Sequence, residues 1–249
     1  MTRLTQKTLI VYAALLVAAT PAAAQEGHQI LARIDSTLAA PEDMVATQRM
    51  TLVDRDGREQ GRTLLMYQKG PDLRMARFIE PAEVRDVGFL RLAEDQMYLY
   101  LPAFRRVRRI ASSIKHEDFM GTDLSYEDLA RTRFGDDYVV VAVERSGAGY
   151  RLTLEARPTA DVSYGRIEMQ ADGETWLVTQ LDLYGVDDTK VKTIVASEID
   201  RIGPYWLARR IVVESADDGH RTVLDFDDVQ FDTGIADDFF SQRQLKRGR

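Results

Sequence analysis

Cysteine is absent from all 249 residues. That excludes disulfide staples, thiolate zinc sites and thiol nucleophiles, and with them an anchor built on a lipidated N-terminal cysteine. Histidine is scarce: His28, His116 and His220 are the three, none at metal-ligand spacing from another, and no HExxH occurs. No GxSxG elbow is present. No glycine-rich loop leads into a helix, since "SGAG" (146–149) lies between β-rich runs and reads as a hairpin. Proline and glycine never cluster into a linker, so no internal domain boundary is visible. Aromatics are 8% of the chain and the formal net charge is −7, both adverse to nucleic-acid binding. The acid pairs Asp136–Asp137, Asp187–Asp188, Asp217–Asp218 and Asp227–Asp228 fall at strand ends or turns, where Asp is a turn former. The composition predicts a protein that is not an enzyme and needs no metal or cofactor.

Long hydrophobic runs are also missing, apart from one. "LIVYAALLVAAT" follows the cations Arg3 and Lys7, and "AAA" at 22–24 precedes Gln25. This is the pattern of a cleavable signal peptide over 1–24, too short an apolar run to span a bilayer comfortably. The expected mature protein is a single domain, 25–249, free in the periplasm and monomeric.

What is abundant is β patterning. "DRDG" (54–57), "KGPD" (69–72), "SGAG" (146–149), "ADGE" (171–174) and "ADDG" (216–219) place turn chemistry at strand-length intervals. Between them apolar residues alternate: Tyr150, Leu152, Leu154 and Ala156 share one face, and Val191, Val195 and Ile199 share another. "TLLMYQ" (63–68), "MYLYL" (97–101) and "YVVVAV" (138–143) are apolar on both faces and need cover on both. Helices are few. Ile30, Ile34 and Leu38 make an amphipathic stripe over 29–38, Ser125 and Asp128 stand at capping-box spacing, and "IADDFFSQRQL" closes the chain by docking Phe239 and Phe240. The predicted class is mainly β, an antiparallel meander with two or three helices.

One stretch is unusual: "MYLYLPAFRRVRRIASSIKHEDFMGTDLSYEDL", residues 97–129. It resembles exported proteins of the outer-membrane lipoprotein-sorting family, within the LolA-like superfamily. Their shared run is an aromatic strand ending "YLP", an Arg-rich segment ending in Ile, then "FMG(S/T)D" and "YEDL". Here the motif falls on Tyr100, Pro102, Phe119, Met120, Gly121, Asp123, Tyr126 and Asp128. The resemblance implies an incomplete, half β-barrel with helices covering its concave face and a lipid-accepting space between. It also implies an association with resistance-nodulation-division (RND) type exporters. The smaller lipoprotein carriers lack the "RRVRR…FMGTD" block, so the implied cargo is a lipid or lipidated molecule in general.

An acyl chain gains about 0.8 kcal/mol per methylene removed from water, so an apolar cavity holds a lipid without catalytic residues. Flexible Met side chains suit such walls. The candidate wall comprises Leu64, Met66, Met75 and Phe78, together with Phe89, Leu99 and Val140. Arg105, Arg106, Arg108 and Arg109 are candidates for contact with an anionic headgroup or a partner; their alternative is pairing with the nearby acids Asp118, Asp123, Glu127 and Asp128. His116 is the one residue on which a hydrolase reading would turn. A regulatory protein that senses lipid or clamps a membrane partner is the competing functional class.

Overall fold

The computed structural model describes residues 21–93 and 96–247. Most of the expected signal peptide, residues 1–20, lies outside the described residues. Thirteen strands form one antiparallel sheet. In chain order they are β1 (Asp43–Val53), β2 (Glu59–Lys69), β3 (Leu73–Glu80), β4 (Gly88–Leu92), β5 (Gln96–Leu101), β6 (Arg106–Arg109), β7 (Tyr138–Ser146), β8 (Gly149–Ala156), β9 (Arg166–Ala171), β10 (Val178–Tyr184), β11 (Lys190–Ile202), β12 (Tyr205–Ser215) and β13 (Arg221–Phe231). The helices are α1 (Pro21–Leu38), α2 (Tyr126–Ala130) and α3 (Gln242–Arg247). Among the described residues no helix is long and apolar enough to cross a membrane.

Each half of the chain is a meander, β1 to β6 and β7 to β13. The halves join where β1 pairs with β13, leaving β6 and β7 as the two free edges. The five turn motifs all fall between consecutive strands. In "DRDG", Asp54 Oδ1 accepts from the backbone N–H of Asp56 and Arg58, and Gly57 takes the left-handed conformation the turn requires.

The sheet curls. Arg74 on β3 and Ile167 on β9 line the same hollow, although seven strand spacings, about 34 Å if flat, separate them. Two plugs fill its concave side. At one end Ile30, Leu31 and Ile34 of α1 pack on Tyr138, Val140, Leu152 and Leu154 of β7 and β8. The helix approaches so closely that a Cβ on Gly27 would stand 2.7 Å from Val140 Cγ1. Asp35 fastens α1, accepting from the N–H of Phe134 and Gly135 at 2.9 Å each. At the other end α2 and the loop before it bury Phe119 and Tyr126 against Phe78, Phe89 and Met97 of β3 to β5.

α3 takes the opposite face. Phe240 and Leu245 pack on Met75, Leu90 and Tyr100, while Phe239 stacks on Tyr67 4.7 Å away. Strands β2 and β5 are apolar on both faces because a plug lies on one side and α3 on the other. Two of the three helices thus cover the concave face, and the third braces the back. β11 adds a refinement of the sequence pattern. Of Val191, Val195 and Ile199, Val191 is half-buried against the core near α1 and the other two are exposed, while Ile194 and Ala196 line the hollow.

Candidate functional site: a hollow between two plugs

Two short plugs cannot cover thirteen strands. Between them the inner faces of β1 to β3 and β9 to β13 line a cavity of about 740 Å³. Its walls are mainly apolar: Met44, Met66, Ile194, Ile211, Leu224 and Phe226 from the sheet, with Leu38 and Leu129 from the plugs. The size falls within the range of small-molecule sites.

The motif residues build the second plug. Met120 and Gly121 both have positive φ, at 53° and 74°, and turn the chain between Phe119 and Thr122. That pair of left-handed residues is a type I′ turn, for which Gly at the second position is best suited. Ser125 caps α2: its Oγ accepts from Asp128 N–H at 3.1 Å, and Asp128 Oδ2 accepts from Ser125 N–H at 2.9 Å. The plug is then pinned to the far strands. Lys192 of β11 donates to Asp123 O at 2.6 Å and to Asp128 Oδ2 at 3.0 Å. Tyr164 OH donates to Asp128 Oδ1 at 3.0 Å. Thr222 Oγ1 donates to Asp123 Oδ2 at 2.7 Å, and His220 Nδ1 lies 2.8 Å from the same oxygen. Burial first, and Asp128 second, push the Tyr164 hydroxyl far above the ordinary tyrosine range. Burial also raises Asp118, against the pull of Lys192.

Three of the four acids near the arginine block are therefore engaged elsewhere. Asp123 and Asp128 bind as above, and Glu127 pairs with Arg131 and His116. Among the described residues none of Arg105, Arg106, Arg108 and Arg109 pairs with a carboxylate; Arg108 lies 6.0 Å above the Phe104 ring. All four are exposed, three of them on the free edge strand β6, and none lines the cavity. The expected alternative of local pairing gives way to a cationic edge.

Of the candidate wall residues, Met66 lines the cavity. Leu64, Phe78 and Phe89 lie in the adjoining core under α2, with Leu99 against them. Val140 lies under α1. Met75 is on the opposite face beneath α3. Phe89, Leu99 and Val140 belong to strands at or near the ends of the sheet, away from the hollow, while Leu64, Met75 and Phe78 are on β2 and β3 but packed under a plug or on the back.

His116 Nδ1 lies 2.9 Å from Glu127 Oε2 and also meets Ser163 Oγ, whose hydroxyl donates to Glu127 at 2.6 Å. A Ser–His–acid relay needs the hydroxyl and the acid on opposite ring nitrogens. Here one nitrogen meets both, and the serine proton is directed at the acid.

Sequence reasoning missed Lys192, Tyr164 and Arg74. For the two cations a signal existed: each lies in phase with an inward apolar alternation, Lys192 with Ile194 and Arg74 with Phe78.

Residues 70–247 match a family model described as an uncharacterized protein. A DUF1329 family protein from Desulfovibrio piger superposes with a TM-score of 0.83 at 26% identity, covering 90% of this chain and 99% of that one. The chain belongs to the DUF1329 family. This DUF1329 chain is also similar to a domain from Vibrio parahaemolyticus named for outer membrane lipoprotein sorting, with a TM-score of 0.81, 25% identity and coverage of 90% and 100%. A LolA superfamily protein from Nitrosomonas europaea shares the fold at a TM-score of 0.73 and 19% identity, over 88% of this chain and 98% of that one. No curated protein matches the DUF1329 chain.

Proposed function

We propose that this protein is a periplasmic, non-catalytic carrier. It holds a lipid or the acyl part of a lipidated molecule in its central hollow and transfers it between envelope membranes. The observation that carries this reading is the apolar cavity left between the two plugs. Its mainly hydrocarbon lining gives about 25 cal/mol for each Å² of apolar surface removed from water. The lipoprotein-sorting name of the Vibrio relative supports the same class of cargo. Hand-over to an RND-type exporter, and a monomeric state in solution, belong to the proposal. Native mass spectrometry of gently purified protein tests it: a co-purifying lipid near one per chain supports carriage, and a protein that never holds lipid refutes it.

A second reading rests on the cationic edge. Four exposed arginines without carboxylate partners among the described residues, three of them on a free edge strand, suit docking to an acidic partner or an anionic membrane surface. In this reading the same fold senses lipid and clamps an envelope protein. An empty protein that captures one envelope partner would favour it.

A further inference from the structure

Three of the charges that line the hollow are matched among the described residues. Asp128 meets Lys192, Arg131 meets Glu127, and Asp43 accepts four hydrogen bonds from residues 233–235. Arg33 and Glu174 are exposed, and Arg33 covers the Trp176 ring 4.4 Å away. Arg74 has no carboxylate partner among the described residues. Its Nη1 donates to Leu129 O at 2.8 Å, near the end of α2. Its Nε is buried without a hydrogen-bond partner. Arg91, directly opposite on β4, adds a like charge. Burial and Arg91 push Arg74 down to about 10, so it still carries its charge at neutral pH.

A cation held this way is costly. A buried donor left unmade loses its full hydration, and the loss is greater for a charged group. Among the described residues no carboxylate offsets it, while the apolar walls around it suit a hydrocarbon tail. Arg74 lines the hollow with Nη1 fixed by Leu129, and a guanidinium there suits a planar or tetrahedral oxyanion. We propose that Arg74 receives the anionic headgroup, a carboxylate or a phosphate, of a ligand whose tail fills the hollow. This rests on the carriage reading above and narrows its cargo to acidic amphiphiles.

Four probes test it by fluorescence binding or competition: cis-parinaric acid against its methyl ester, and a lysophosphatidic acid against the monoacylglycerol of the same chain. The wild-type protein should bind each acid at least about tenfold tighter than its neutral partner, the effect of one charged hydrogen-bonded contact. Arg74→Met should bring the ratios close to parity at unchanged ester affinity, and Arg74→Lys should keep part of them. The pair with the larger ratio names the headgroup. Equal binding of acid and neutral probe by the wild type overturns the proposal and leaves carriage standing. A preference that survives in Arg74→Met also overturns it, because the anion then sits elsewhere. Binding of none of the four probes fails the carriage reading itself. Should Arg74→Met not fold, the wild-type ratios and Arg74→Lys decide.

Discussion

Lys192 Nζ and Asp128 Oδ2 lie 3.0 Å apart with both side chains more than nine-tenths buried. This ion pair ties the short helix that closes the motif to a strand more than sixty residues further along the chain. Asp128 serves three partners at once: the backbone it caps, the Tyr164 hydroxyl and Lys192.

Removing one member of such a pair leaves the other charge buried alone. Lys192→Met should lose about 3–5 kcal/mol, read from urea unfolding. Lys192→Met with Asp128→Asn should lose less than the single variant, since no charge is then stranded. A double variant as unstable as the sum of the two singles would show that the residues do not act together.

Asp43 predicts a pH dependence. Burial alone would raise its carboxyl, but hydrogen bonds from the Thr233 hydroxyl and the N–H groups of Ile235, Thr233 and Gly234 hold it below the ordinary range. Its folded-state value is thus lower than the unfolded one. The stabilisation is fully present above the unfolded value, near about 4, and is lost as pH falls through the folded one. Asp43→Asn should cost about 1–3 kcal/mol at neutral pH. The gap between variant and wild type should close in acid. Unfolding curves measured down the pH scale check both parts, and a constant gap would contradict this account.

Filling the hollow should abolish carriage without harming the fold. Ala196 lines the cavity on β11, so Ala196→Phe adds a ring to open space. Excluding two or three methylenes of a ligand costs roughly 2 kcal/mol, about thirtyfold in affinity. Lipid binding should fall accordingly while the melting temperature holds. Undiminished binding would place the cargo elsewhere.

The edge arginines should be dispensable for folding. Arg106→Glu with Arg108→Glu removes no carboxylate contact, so stability should change by no more than about 0.5 kcal/mol. Binding to anionic vesicles or to an acidic partner should weaken in the same variant. Unfolding of the variant would reveal a structural role for the pair.

The sequence by itself determined the strands, the turns, the capping box of α2 and the closing segment. Those depend on local chemistry: alternation with a period of two, Asp and Gly at turns, a serine three residues before an acid. It also made plain that the 97–129 block was special. Only the tertiary structure decided what that block does and where the hollow lies. "MYLYL" is apolar on both faces whether a cavity, a plug or a helix covers it, so Tyr100 could be assigned to the back of the sheet only once α3 was seen there. The partners of Asp123 and Asp128 are Thr222, His220 and Lys192, far along the chain, and no local spacing identifies them. Arg74 reads as one more strand cation until the curl of the sheet brings it into the hollow, facing a space that β9 to β13 help to enclose. Curvature and long-range pairing arise from the whole sheet at once, and no single stretch of sequence carries them.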